Sequence, residues 1–272
     1  MSDRDSPSVL ARIWHAIKSA CTEGCSPYDH EFADRSDEVL PSQGSASRLF
    51  EGDSITMALV WYPISSALVH SMTSLADSGW DQEFLDAAWG RTGWPAPPGG
   101  SLARYLSDVR NTPVLTAGDW DVAVPWGGGV DGGRVKMFDV TFALYYEPDD
   151  DEDPDEDQDL LDLPESAPSK RWHFDESATR EQFGTAWQAG FEVMSDLLGP
   201  AEIVGRHGDA DDDWHHAVWR VGARLIILAQ GEDFMSYSLY DRAALHVVDF
   251  PATKGVPQGD DLYGLLMGDV EE

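Results

Sequence analysis

The strongest constraint on the fold lies between Trp214 and Phe250. Four short apolar stretches, WHHAVWRV, ARLIILAQ, FMSYSLYD and ALHVVDF, follow one another with brief connections. Parallel strands need a crossover of about a dozen residues or more, so these connections predict an antiparallel meander. Just upstream, ESATREQFGTAWQAGFEVMSDLLG sets Phe183, Trp187, Phe191, Met194 and Leu198 on one stripe at helical spacing. Thr179 is placed to cap this helix and Gly199-Pro200 to end it. An apolar helical stripe beside a meander must bury itself on the sheet, which predicts an α+β unit.

The first half reads in the same way. Ile55–Trp61 is an extended piece, Pro63–Asp77 a helix with Pro63 in its first turn, and Gln82–Trp89 a second helix before Gly90. SLARYLSDVRN is a third helix, with Ser101 as its cap. DWDVAVPW alternates, with Trp120, Val122 and Val124 on one face. RVKMFDVTFALYY is long for one strand. Its Val135, Phe138, Val140, Phe142 and Leu144 suggest an antiparallel element carrying a bulge. DWDVAV from Asp119 and DWHHAV from Asp213 give the halves a loose likeness, read either as a duplication or as coincidence between two Trp-rich strands. The expected fold class is therefore α+β, helices packed on antiparallel sheet, with two similar halves left open.

Five regions follow: 1–48, an amphipathic helix (Leu10, Ile13, Trp14, Ile17) and flexible loop; 49–147, a first α+β segment; 148–169, an acidic linker; 170–251, a second α+β segment with the meander; and 252–272, a C-terminal tail in which Leu262, Leu265 and Leu266 can form a short docking helix. The run EPDDDEDPDEDQD, Glu147–Asp159, falls almost entirely in this linker. Like charges packed that densely do not fold on themselves.

Charge sets the chain apart: 50 acidic against 18 basic side chains, a formal net charge of −32. Such a field repels nucleic acid and anionic membrane and attracts basic surfaces. A high-salt habitat would also select excess Asp and few Lys. Arg in place of Lys, with much Ala, Gly and Asp, fits a GC-rich bacterial genome. The 11 Trp argue for a packed core. No secretory signal or transmembrane stretch is legible, so a cytoplasmic protein is expected. Cys21 and Cys25 have only His15 and His30 nearby, too few for a zinc site, and read as free thiols.

RHGDADDDWHH, Arg206–His216, is the cluster that most resembles a catalytic site. His207, Asp209, Asp211, Asp212, Asp213, His215 and His216 are the ligand types of zinc or non-haem metals. Consecutive His215 and His216 on a strand face opposite ways, however. The aspartates also lack the glycine and glutamate of a calcium loop. An exposed acidic turn is the plainer reading. GGGVDGG is followed by strand periodicity and reads as a hairpin loop, not a phosphate loop. Trp120, Trp126, Trp187, Trp214 and Trp219 read as core. Trp80, Trp89 and Trp94, near helix ends, read either as core or as an exposed aromatic patch.

FGTAWQAGFEVMSDLLGPAEIVGRHGDADDDWHHAVWRVGARLIILAQGEDFMSYSLY has a helix ending in L-L-G-P, an acidic turn, a Trp-bearing strand and then RLIILAQGEDF. It resembles the small α+β immunity proteins encoded beside polymorphic toxins in actinobacteria. The resemblance spans roughly Gln182–Asp249. It implies a protein without chemistry of its own that binds and blocks a secreted toxin domain, often a basic nuclease. The long acidic insertion departs from a minimal immunity domain.

The expected function is a non-enzymatic acidic binding protein of immunity or inhibitor type, with no metal and no cofactor. Its partner is a basic protein, reached through Asp209, Asp211, Asp212 and Asp213, and through Asp149, Asp150, Asp151, Glu152 and Asp153. Two alternatives stand beside it: a nucleic-acid mimic, and a metal-dependent hydrolase using the His207–His216 cluster.

Overall fold

A strand segment apolar on both of its faces, such as LIILA at 225–229, needs a sheet covered on both sides, and that is how the chain is built. A computed structural model describes residues 58–108, 114–124, 130–131, 134–146, 172–175, 177–208, 214–232 and 241–268. The expected N-terminal helix, Cys21 and Cys25, Trp126, the acidic run and most of FMSYSLYD lie outside these residues.

The strands are β1 (Ala58–Trp61), β2 (Val114–Ala117), β3 (Trp120–Ala123), β4 (Val130–Asp131), β5 (Arg134–Val135), β6 (Met137–Tyr146), β7 (His173–Asp175), β8 (Ile203–His207), β9 (Trp214–Val221), β10 (Arg224–Glu232) and β11 (Asp241–Asp249). The helices are α1 (Ser66–Ala76), α2 (Gln82–Arg91), α3 (Leu102–Asp108), α4 (Arg180–Leu198) and α5 (Asp260–Met267). Nine strands form one sheet in the order β2-β3-β6-β11-β10-β9-β8. β1 lies beside β6, and β7 beside β1. β4 and β5 make a separate small hairpin at GGGVDGG. The fold is α+β, with helices packed against an antiparallel sheet, and strands from both expected segments share that sheet through the β6–β11 pairing.

Helix boundaries follow local chemistry. Ser65 caps α1, its hydroxyl accepting from the Leu68 N–H at 3.2 Å, so Pro63 precedes the helix instead of entering its first turn. Thr179 and Gln182 form a reciprocal capping box at the start of α4. Phe183, Trp187 and Met194 of the expected stripe are buried there. Gly190 also faces inward, and a Cβ on it would lie 3.0 Å from Ile64 Cδ1, so a glycine permits this close approach.

Two sequence expectations need adjusting. β10 pairs directly with β11 over Arg224–Glu232 and Asp241–Asp249, so the two are neighbours in the sheet, while the expected strand FMSYSLYD lies, but for Asp241, outside the described residues. The expected inward face of β6 also breaks at Leu144. Ala243 pairs with Ala143 and Ala244 with Thr141, which leaves Phe142 as the extra residue of a bulge. Beyond the bulge the parity changes. Ala143 and Tyr145, not Leu144, continue the buried row of Phe138, Val140 and Phe142.

Each sheet face has its own core. On one side, α1, α2, α3 and α4 cover Leu59, Phe138, Val140, Tyr145, Trp219, Ile226, Leu228, Leu245 and Val247. Trp80 and Trp89 are buried in this core, with indole N–H groups donating to Leu75 and Pro95 carbonyls; the half-buried Trp94 packs on Trp89 at 4.9 Å. These tryptophans are core, not an exposed patch. On the other side, Met137, Val218, Leu225, Ile227 and Val248 are covered by Phe250, Val256, Leu262, Leu265 and Leu266 of the C-terminal segment.

Candidate functional site

The two ends of the RHGDADDDWHH motif belong to the β8–β9 hairpin, which pairs His207 with Trp214, Arg206 with His215 and Gly205 with His216. Strand alternation sends His215 to one face and His216 to the other. His215 lies against Trp187 of α4, with ring centroids 5.0 Å apart. His207, Trp214 and His216 turn to the opposite face and meet Tyr263 of α5.

Tyr263 is the centre of this group. Its ring stacks on His207 at 4.2 Å and stands edge-on to His216 at 5.9 Å. It lies 6.2 Å from the Trp214 ring. Its hydroxyl donates to the Gln230 carbonyl at 2.7 Å, and burial pushes the phenol pKa up. Asp260, at the start of α5, brings Oδ1 to 3.3 Å from His207 Nδ1. Gly205 makes room for His216, since a Cβ there would lie 2.6 Å from His216 Nε2.

The electrostatics keep His216 neutral. Burial, then the nearby charges of His207 and His215, lower its pKa to about 4. His216 Nδ1 and Trp214 Nε1 are buried without a hydrogen-bond partner. This arrangement clasps α5 to the sheet through stacked rings and one hydrogen bond. His215, on the far face, cannot join His207 and His216 around one ion. Among the described residues, no group of three His, Cys, Asp or Glu side chains is placed to hold a metal.

A second polar group lies on the same face. Arg242 donates to Asp139 Oδ2 at 3.0 Å, and Asp139 is opposite His246 in the β6–β11 register. His246 is fully buried, and burial followed by the Arg242 charge holds its pKa well below the usual value. Arg180, at the start of α4, pairs with Asp241 of β11. Sequence reading did not pick out Tyr263, Gly205 or the Asp139–Arg242 pair. Only Gly205 left a trace there, as a glycine inside a strand, which signals a close approach.

The expected contact residues Asp209, Asp211, Asp212 and Asp213 lie outside the described residues, in the connection between His207 and Trp214. Asp149, Asp150, Asp151, Glu152 and Asp153 also lie outside them, between β6 and β7. An open groove of about 710 Å³ borders α5, with Val256, Asp260, Asp261 and Leu265 in its walls. Among the described residues no helix is long and apolar enough to cross a membrane. Set against known proteins, the chain matches no family model, no curated protein and no solved structure.

Proposed function

We propose that this chain is a non-enzymatic cytoplasmic binding protein of immunity or inhibitor type, which holds a basic partner such as a toxin domain. The observation that carries the reading is the formal net charge of −32. The way arginines are used supports it. Arg180, Arg224 and Arg242 turn toward Asp241, Asp249 and Asp139, so these three positive charges are balanced within the molecule. Acidic side chains, by contrast, line outer surfaces: Glu83 and Asp86 on α2, Glu181, Glu192 and Asp196 on α4, and Asp260 and Asp261 on α5 are exposed.

A field of this sign speeds encounter with a cationic surface and rejects anionic ones. The residues from Asp209 to Asp213 and from Asp149 through Asp153 supply further carboxylates for the encounter. The test is co-purification from the native host at low salt. A basic protein should be retained, with binding weakening about tenfold or more as salt is raised. Recovery of no basic partner, together with turnover of small substrates by the purified chain, overturns the reading.

A further inference from the structure

We propose that the groove along α5 seats an arginine-bearing segment of the partner, with the guanidinium held by Asp260 and Asp261. The proposal rests on the reading that the partner is basic, and it names where that partner is held and by which side chain.

The C-terminal segment builds this groove against the sheet's second core. After Phe250 the Lys254 N–H donates to the Pro251 carbonyl at 3.0 Å and turns the chain back. Gly259 then leads into α5 at a φ of +52°, which favours glycine. Leu262 and Leu266 turn to the core and anchor the helix. Asp260 and Gly264 are four residues apart, as are Asp261 and Leu265, so the four share a side of α5, and all of them line the groove. Its volume of about 710 Å³ falls in the range of about 300–1,000 Å³ that holds compact ligands.

Two properties of the groove select its occupant. Val256, Pro257 and Leu265 are half-buried and give it apolar walls, which suit a side chain with an aliphatic stem. Its rim is negative. Asp260 is 97% exposed and touches His207 Nδ1 at 3.3 Å, while Asp261 is exposed and, among the described residues, forms no ion pair. Lys254 lines the groove too but pairs with neither carboxylate, so two negative charges face one positive. Arginine meets both properties better than lysine. Its guanidinium is weakly hydrated and planar, so it can lie on an apolar wall while its fork of donors reaches a carboxylate. The residues after α5, DVEE, add three carboxylates, and a second copy brings a net charge of −32, so neither complements this rim.

Gly264 gives the proposal a clean test. A Cβ there would meet nothing within 4 Å, so a larger side chain enters the groove without disturbing the core. The probe is a short blocked peptide with Leu-Arg-Leu at its centre, compared with Leu-Lys-Leu and Leu-Glu-Leu counterparts. Binding to the isotope-labelled full chain is followed by NMR at low salt. The arginine peptide should shift the amides of 254–265 saturably, the lysine peptide should bind more weakly, and the glutamate peptide should not bind. Asp260→Asn together with Asp261→Asn should raise the Kd about tenfold, the loss expected from two exposed ion pairs. Gly264→Leu should raise it about tenfold or more by filling the groove, at an equal or higher melting temperature because leucine is the better helix former. This arm stands even if the double variant loosens α5, since it keeps both carboxylates.

Shifts centred elsewhere, equal binding of the glutamate peptide, or full binding by either variant overturns the proposal. Contacts in the free chain between the Leu265 methyls and residues 1–57 overturn it too, by assigning the groove to the chain's own N-terminal segment. Self-association that Gly264→Leu abolishes does the same by assigning it to a second copy. A co-purified basic partner that binds both variants as it binds wild type removes the groove but leaves the basic-partner reading standing. Failure of wild type to bind either the arginine peptide or any basic protein removes both.

Discussion

The Arg224 guanidinium lies 4.3 Å from the centre of the Trp80 ring and donates to the Ala76 carbonyl at 2.9 Å. One side chain from β10 thus satisfies an orphan carbonyl at the end of α1 and covers a core indole. Asp249 stands 3.8 Å away and balances the charge. Arg224→Ala should cost about 3 kcal/mol of stability, because it removes a buried charge-assisted bond and leaves the carbonyl dry. Arg224→Lys should recover only part of the loss, since an ammonium lacks the planar face that stacks on Trp80. Urea unfolding of the three proteins, at constant denaturant slope, checks both values.

Gly205 and His216 make a sharper test of the clasp on α5. A methyl group at Gly205 would lie 2.6 Å from His216 Nε2, too close for the ring to stay where it is. Gly205→Ala should therefore displace His216 and loosen Tyr263, which stands against it. The expected cost is about 2 kcal/mol. Faster exchange of the α5 amides, with α4 amides unaffected, would locate the damage. Equal loosening of both helices would contradict the role given to the clasp.

Acid should weaken the fold through its buried histidines. His216 has a folded pKa of about 4 and an unfolded value of 6.5, and His246 is also held well below 6.5. Both are neutral in the fold while the unfolded chain takes up protons. Their contribution is complete above pH 6.5. That of His216 is lost as pH falls through about 4, and that of His246 continues to fall lower. Stability should decline from pH 7 toward pH 4, with a slope of up to about 1.4 kcal/mol per unit for each group. His216→Gln should flatten part of that slope in urea titrations repeated across the range. An unchanged slope would place the linkage elsewhere.

Local patterns carried much of this architecture in the sequence. The stripe from Phe183 to Leu198 announced α4, and Leu262 announced a helix docked through its apolar side. What stayed hidden depends on partners distant in the chain. The length of RVKMFDVTFALYY pointed to a bulge, but its place at Phe142 is set by the match of β6 to β11, and no residue near Phe142 encodes that pairing. FMSYSLYD has strand alternation, but β10 and β11 pair directly with each other. At the candidate site, the opposed directions of His215 and His216 were legible from alternation alone. Tyr263 was not, because its meeting with His207 joins residues from the sheet and the C-terminal helix. Trp80 and Trp89 read ambiguously near helix ends, where only the packed core decides burial.

The acidic run is a final case in which topology decides. β6 ends at Tyr146, opposite Ala58, and β7 begins at His173, opposite Trp61. Both strands flank β1 and run parallel to each other, so the residues between them return from one end of β1 to the other. That path needs about 15 Å: three residues of strand rise and two strand spacings. Deleting Asp149–Asp159 leaves 147–148 and 160–172, which still reach about 50 Å when extended. The shorter loop also lowers the closure cost by about 0.5 kcal/mol and removes repulsion among like charges. The deletion should therefore fold with an equal or slightly higher melting temperature. Against a basic partner, its association rate should fall about tenfold at low salt and converge with wild type at high salt, with dissociation little changed. Stopped-flow binding across a salt series separates the two rates. A lower melting temperature would mean that the run itself packs on the sheet. An unchanged association rate would move the steering charge to Asp209–Asp213.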